Sequence, residues 1–155
     1  LPPPHAWPAT RDLRTVAADV DTGERRVFDR TSGVDLVDAV AASCAVPGIW
    51  PTVAVDGGEY MDGGVYSIDN ADLAIGCARV LILTLRARVP ALCVQSLESA
   101  VERLRQHGAQ VEIVHPDEAT LEAFAAVGEN LLDPAVREPA ARAGREQGRR
   151  LSQSG

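Results

Sequence analysis

Residues 55–70 read VDGGEYMDGGVYSIDN and contain the tripeptide Asp-Gly-Gly twice, at residues 56–58 and at residues 62–64. Two short runs with strand character, TVAV and EYM, flank the first copy. A glycine-rich turn between two such runs is the strongest local signal for a β-hairpin. The first copy is therefore predicted to be a hairpin tip. The second copy then stands where the hairpin's last strand ends.

Asp62, which opens the second copy, is a candidate for chemistry. It ends a predicted strand, and the two glycines after it let other groups approach its carboxylate closely. Sites in α/β sheets gather at strand ends, and a carboxylate placed there can act as a general base toward a hydroxyl. A tight turn also explains these residues, because Asp and Gly are ordinary turn residues. Spacing alone leaves both interpretations open.

The sequence before this stretch predicts a second hairpin and a helix. LRTVAADV (13–20) and RRVF (25–28) lie on either side of the turn signal DTGE. Residues 31–48 have helix punctuation, with Thr31 or Ser32 as the cap and Pro47-Gly48 at the end. The positions predicted to share one helical face are Val37, Val40, Ala41 and Cys44.

From residue 70 onward the predicted order is helix, strand, helix, strand, helix, helix, with Asn70 capping the first helix. The runs RVLILTL (79–85) and QVEIVHP (110–116) have the composition of strands buried on both faces. The helices are predicted to end at Gly108 and Gly128, and the last one is polar. Such alternation predicts an α/β fold with a mostly parallel sheet, to which the hairpin is added.

Composition excludes several classes of function. The net charge of -7 and the pI near 4.9 argue against nucleic-acid binding, which needs a basic face. Three cysteines without a C-x-x-C pair favour a reducing, cytoplasmic compartment. No apolar run reaches the ~20 residues of a spanning helix. Phosphate-binding loops, G-x-G-x-x-G and calcium-loop spacing are all absent, so no cofactor and no metal are expected.

Other reactive side chains lack a catalytic setting. No serine lies in G-x-S-x-G, and Ser43 is expected to be a packing residue of the first helix. The three histidines and three cysteines are predicted to be structural, the cysteines as small buried residues. Five arginines in the last helix predict a solvated face, with contact to an acidic membrane surface as the alternative. The histidines and cysteines predicted to be structural are His5, His107, His115, Cys44, Cys77 and Cys93.

The order AASCAVPGIWP, then VDGGEYMDGGVYSIDNADLAIGCARVLILTL, resembles the C-terminal half of a patatin-like phospholipase domain. In that family an A-[SA]-x-A-x-P segment comes first and is followed by D-G-[GA]. An N-x-[PA] stretch and then a buried strand come after it. The resemblance is good over residues 13–86. To about residue 150 it extends more loosely to the short bacterial patatin-like lipid acyl hydrolases.

The resemblance implies a three-layer α/β/α domain that hydrolyses carboxylic esters of lipids with a Ser–Asp dyad and no histidine. It assigns the role of general base to Asp62. Gly63 and Gly64 correspond to the glycines that, in the family, let the carboxylate approach. It implies no cofactor, and it adds a lipid ester as the substrate, with the acyl chain and headgroup left open.

The nucleophile of that family, in G-x-S-x-G, is absent from the sequence. Residues 1–155 are therefore expected to be the C-terminal part of one patatin-like domain, whose N-terminal half would be its partner. The chain alone is expected to be inactive, because a dyad with one member cannot transfer an acyl group. The alternative is a non-catalytic module of patatin-like origin that binds lipid or a partner protein.

Overall fold

A computed structural model of the chain describes residues 5–85, 94–126, 128 and 132–153. These residues form two compact units. The first comprises residues 5–80 and 94–111, and the second comprises residues 81–85 and 112–153. That residues 1–155 are the C-terminal part of one domain stays a prediction.

The first unit contains a four-stranded antiparallel sheet in the order β2-β1-β4-β3. Both predicted hairpins are confirmed, since β1 pairs with β2 and β3 pairs with β4. Short loops can join only antiparallel neighbours, and the DTGE and Asp-Gly-Gly turns are such loops. The strands are β1 (Thr15–Asp19), β2 (Arg25–Phe28), β3 (Val53–Val55) and β4 (Gly58–Asp62).

Helix α1 (Leu36–Ser43) packs on this sheet with a different face from the predicted one. Its buried residues are Ala39 and Ala42, whereas Val37 and Val40 are exposed. The sheet decides this, because β1 presents the fully buried Ala17 and a small-to-small contact brings helix and sheet close. The predicted caps were also wrong. Thr31 and Ser32 instead bond with Asp29 in a turn.

The core of the first unit combines these small residues with a few large ones. Phe28 is fully buried and meets Tyr60 edge to face, with ring centroids 5.5 Å apart. The indole Nε1 of Trp7 donates a hydrogen bond to the Val34 carbonyl at 2.8 Å. The buried cluster comprises Ala17, Phe28, Val34, Ala39, Ala42 and Val55.

The remaining elements follow the predicted order. Helix α2 ends two residues before Gly108, which adopts a positive φ of 83°. A glycine in that conformation just beyond a helix end is a common way to terminate the helix. Asn70 precedes a short 3-10 helix, Ala71–Ala74. The later elements are β5 (Arg79–Leu83), α2 (Leu97–Gln106), β6 (Gln110–Val114), α3 (Glu118–Ala125) and α4 (Arg137–Gln153).

Strands β5 and β6 form a separate pair. Gln110 N donates to the Ala78 carbonyl at one end, and Thr84 N donates to the Val114 carbonyl at the other. The two strands therefore run in the same direction. The expectation of a mostly parallel sheet is nevertheless wrong for the described residues, because the larger sheet is antiparallel.

The prediction that β5 and β6 are buried on both faces is also wrong. Leu81, Leu83 and Leu85 are 61%, 72% and 66% exposed, while Ile82 on the opposite face is buried. Strand β6 is only partly buried along its length. The apolar composition does mark a strand. Burial, however, depends on a covering layer, and among the described residues no closely packed layer covers the face that carries the leucines.

In the second unit α3 and α4 contact each other. A groove of about 890 Å³ lies between these helices and the ends of β5 and β6. Its apolar lining includes Leu83, Leu85, Phe124 and Leu151. Helix α4 has no buried residue, as the prediction of a solvated helix requires.

Candidate active site

Asp62 is the last residue of β4, as predicted, and its side chain is half-buried. Its backbone N–H donates to the Ala45 carbonyl at 3.0 Å, just after α1. On the other side β4 is paired with β1, where Ala17 lies opposite Asp62. The residue is therefore fixed between the neighbouring inner strand β1 and the end of a helix.

The carboxylate is held by the turn that follows it. Asp62 Oδ1 accepts a hydrogen bond from Gly64 N at 2.6 Å, at the start of the short 3-10 helix Gly63–Val65. Within the described part of the chain, this is the one hydrogen bond to the carboxylate. One oxygen is thus anchored, and the other has a lone pair with which to accept a proton.

Glycine is required after Asp62 for two different reasons. A Cβ on Gly63 would stand 2.3 Å from the carbonyl oxygen of Val16, a backbone atom of β1. A Cβ on Gly64 would stand 2.8 Å from Asp62 Oδ1. The first glycine lets the chain pass against the sheet, and the second leaves room for the carboxylate.

The first Asp-Gly-Gly copy is a turn, as predicted. Asp56 and Gly57 have φ angles of 50° and 81°, and both residues are exposed. Positive φ at both central positions defines the hairpin turn that Asp-Gly favours. The two copies therefore share a tripeptide but not a role in the structure.

The loop after Asp62 closes on the carbonyl of Gly63. That oxygen accepts hydrogen bonds from Tyr66 N, Ser67 N and Asn70 Nδ2, at 3.1, 3.2 and 3.2 Å. Asn70 Nδ2 also donates to the Ser67 carbonyl at 2.5 Å. Asn70 was predicted to cap the next helix, but its side chain makes no cap hydrogen bond and instead closes this loop.

A buried ion pair that sequence reasoning missed holds the loop from the other side. Arg25 Nη1 and Nη2 donate to the two carboxylate oxygens of Asp72 at 2.6 and 2.7 Å. The two side chains are only 17% and 5% exposed. The Arg25 guanidinium also lies 4.8 Å from the centre of the Tyr66 ring. The available signal was a single aspartate inside the apolar run ADLAIG.

The ion pair extends toward α2. In the amide orientation that satisfies both of its polar atoms, Gln95 donates to Asp72 at 3.2 Å and accepts from Arg103 at 3.2 Å. The hydrogen bond from Arg25 is the main cause that lowers the pKa of Asp72 below its ordinary value of 3.8, and nearby Arg103 adds to it. The pair also raises the pKa of Arg25.

Asp72→Asn is expected to lower the free energy of unfolding at pH 7 by about 3 kcal/mol, because the change leaves a buried guanidinium without its counter-charge. The folded-state pKa of Asp72 is depressed. The contribution of the ion pair is therefore complete above the ordinary value of 3.8 and is lost as pH falls through the folded-state pKa. Urea unfolding at several pH values measures both effects.

The control for this prediction is Asp12→Asn, which breaks the exposed Arg14–Asp12 pair. Exposed pairs contribute about 0–1 kcal/mol, so this variant should unfold like the wild type. The difference in free energy of unfolding between the wild type and Asp72→Asn should become smaller below pH 4. A difference that stays constant there would contradict a stabilising Arg25–Asp72 ion pair.

Among the described residues, the histidines and Ser43 form no hydrogen bond with the Asp62 side chain. His107 directly follows the last residue of α2, and its Nδ1 lies 2.7 Å from the Arg103 carbonyl oxygen. His115 is in the second unit, where Gln147 donates to its backbone carbonyl. Ser43 is the last residue of α1. Within the described residues, no serine hydroxyl and no histidine ring nitrogen is hydrogen-bonded to the Asp62 carboxylate.

Among the described residues, the cysteines and the side chains that could bind a metal add no site. Cys44 and Cys77 are exposed free thiols, so the prediction that they are buried was wrong, and Cys93 lies outside the described residues. Within the part of the chain that the structure describes, no group of three His, Cys, Asp or Glu side chains could hold a metal ion. In the same part, no helix has the length and apolarity to cross a membrane.

A comparison with models of protein families finds a match in the first part of the chain. Residues 4–75 match the family model described as patatin-like phospholipase. The matched stretch includes Asp62, the two glycines after it, Asn70 and the Arg25–Asp72 pair, and it supports similarity to a family of lipid hydrolases. A search among curated proteins found no match.

Proposed function

We propose that this chain supplies the general base, Asp62, of a serine hydrolase that cleaves carboxylic esters of lipids. The nucleophilic serine would come from a polypeptide segment outside residues 1–155. The observation that carries the proposal is the anchoring of one Asp62 oxygen on Gly64 N–H at a strand end where only glycine fits. The family match over residues 4–75 supports the substrate class.

The proposed reaction needs only one proton acceptor. Asp62 takes the proton of the serine hydroxyl while the serine oxygen attacks the ester carbonyl. The tetrahedral intermediate then collapses, and Asp62 returns the proton to the departing alcohol. Water hydrolyses the acyl-enzyme by the same route, with Asp62 again as the base.

The test is reconstitution. The reading frame upstream of residue 1 is sequenced, and a segment with G-x-S-x-G within about 150 residues, one domain's length, is sought. That segment is co-expressed with this chain, and release of p-nitrophenol from a short-chain ester is measured. We expect no turnover by the chain alone and turnover by the pair. Two soluble parts that form no active enzyme would overturn the proposal.

The exposed leucines of β5 favour a second candidate, a non-catalytic module that binds lipid or a partner protein. Leu83 and Leu85 line the apolar groove of the second unit, beside the arginine-rich α4. A natural start codon near residue 1, together with binding that Asp62→Asn leaves unchanged, would favour this candidate. Contact of α4 with an acidic membrane surface stays a prediction under both candidate functions.

A further inference from the structure

Asn70 and Asp62 bond to opposite ends of one peptide group. The Gly63 carbonyl, which accepts from Asn70 Nδ2 at 3.2 Å, and the Gly64 N–H, which donates to Asp62 Oδ1 at 2.6 Å, belong to the same planar unit. Fixing the direction of that carbonyl therefore fixes the direction of the N–H. Hydrogen bonds in series also polarise one another.

From this geometry we propose that Asn70, oriented by Arg25, is the positioning residue of the Asp62 carboxylate. The inference rests on the proposed function, in which Asp62 is the general base. Asn70 does not touch Asp62; it acts through the Gly63–Gly64 peptide. Its loss would leave the carboxylate present but free to rotate away from the direction of proton transfer.

Arg25 decides which way the Asn70 amide faces. Arg25 Nη1 lies 3.4 Å from Asn70 Oδ1, and a guanidinium can only donate hydrogen bonds. The amide oxygen therefore faces Arg25, and the amide nitrogen faces the two carbonyls of Gly63 and Ser67. The bidentate pair with Asp72 holds Arg25 in place for this role.

The backbone at residue 70 suits asparagine for a second reason. Asn70 has a φ of 44°, in the left-handed region that asparagine tolerates better than most residues. Its N–H donates to Ser67 Oγ at 3.2 Å, and Ser67 is almost completely buried. Both the main chain and the side chain of Asn70 are therefore fixed relative to the Gly63 carbonyl.

Two variants test the proposal without changing the loop's backbone preference. Asn70→Asp keeps the shape and an acceptor for Arg25 but removes the amide donor. Asn70→Gly tolerates positive φ and removes the side chain. The control is Asp69→Asn, the half-buried neighbour in the same loop. Melting temperatures establish that each variant is folded at the assay temperature.

The first measurement uses the chain alone and reads the Gly64 amide proton by NMR. We expect Asn70→Asp and Asn70→Gly to speed its hydrogen exchange about tenfold and to move its resonance upfield, because the bond to Asp62 is weakened. Asp69→Asn should resemble the wild type. Unchanged exchange and unchanged shift in both Asn70 variants would overturn the proposal.

The second measurement uses the reconstituted enzyme. The Asn70 variants should lower kcat about tenfold with KM unchanged, since the substrate is still bound but the base is misdirected. Equal kcat in Asn70→Gly and wild type would overturn the positioning role. If the wild-type pair is inactive, the proposed function fails, while the Gly64 measurement still decides for or against the hydrogen-bonded connection from Asn70 to Asp62.

Discussion

Asp62→Asn is expected to lower kcat of the reconstituted hydrolase about 10³-fold, the usual contribution of a general base. The amide oxygen of asparagine can still accept from Gly64 N–H, so the turn after β4 should keep its shape. The amide cannot take the serine proton at neutral pH. The loss should therefore appear in kcat, and KM should stay near the wild-type value. Hydrolysis of a short-chain p-nitrophenyl ester measures both constants.

The chain offers a matched control in its other Asp-Gly-Gly. Asp56→Asn makes the same chemical change at an exposed hairpin tip, where asparagine suits the positive φ. This variant should retain wild-type turnover. Full activity in Asp62→Asn would remove Asp62 from the mechanism, and equal losses in both variants would show that the effect is not specific to the site.

Gly63→Ala is expected to lower the free energy of unfolding by about 3 kcal/mol or more, the upper range for inserting a methyl group where none fits. The new Cβ would stand 2.3 Å from the Val16 carbonyl oxygen. That atom is backbone of β1, where Val16 pairs with Val27 of β2 and the next residue, Ala17, pairs with Asp62 of β4, so it cannot move without disturbing the sheet. Urea unfolding followed by circular dichroism measures the loss.

Two other glycines provide the comparison for Gly63→Ala. In Gly64→Ala the new methyl group would be too close only to the Asp62 carboxylate, which can rotate away, and would make an ordinary contact with Ile68; stability should therefore change little while ester turnover is lost. Gly144→Ala adds a methyl group in open space on α4 and should stabilise the helix by up to about 1 kcal/mol. Equal stability of Gly63→Ala and Gly144→Ala would contradict the close approach of Gly63 to β1.

Local turn chemistry was the part of the fold that the sequence made predictable. Asp56 and Gly57 at a hairpin tip, and Asp62 at the end of the next strand, follow from residues only a few positions apart. Such short-range preferences hold almost regardless of the rest of the molecule. Both hairpins were predicted for that reason, whereas the order of elements after Asn70 followed from the apolar runs of the strands and the glycines at the helix ends.

Burial was harder to predict, because it depends on which layers cover an element. The apolar run of β5 indicated a strand covered on both faces, yet Leu83 is 72% exposed. In α1 the larger valines were expected inside, but the alanines of β1 select Ala39 and Ala42. Neither outcome is encoded in the segment itself.

The connection from Asp72 through Arg25 to Asn70 could not be read from the sequence. Arg25 and Asp72 are separated by 47 positions, and nothing in either segment identifies its partner. The sequence predicts only a helix-capping role for Asn70, since that is a common use of asparagine before a helix. Three-dimensional contacts were needed to show that it faces the Gly63 carbonyl.

The most direct test of the central claim is the rate at which a fluorophosphonate labels the serine of the reconstituted enzyme. This reagent reacts with a serine whose proton is withdrawn by a neighbouring base, and it needs no ester turnover. We expect rapid labelling with the wild-type chain and with Asp56→Asn, and labelling slowed about 10³-fold with Asp62→Asn. Equal labelling rates for wild type and Asp62→Asn would contradict that claim.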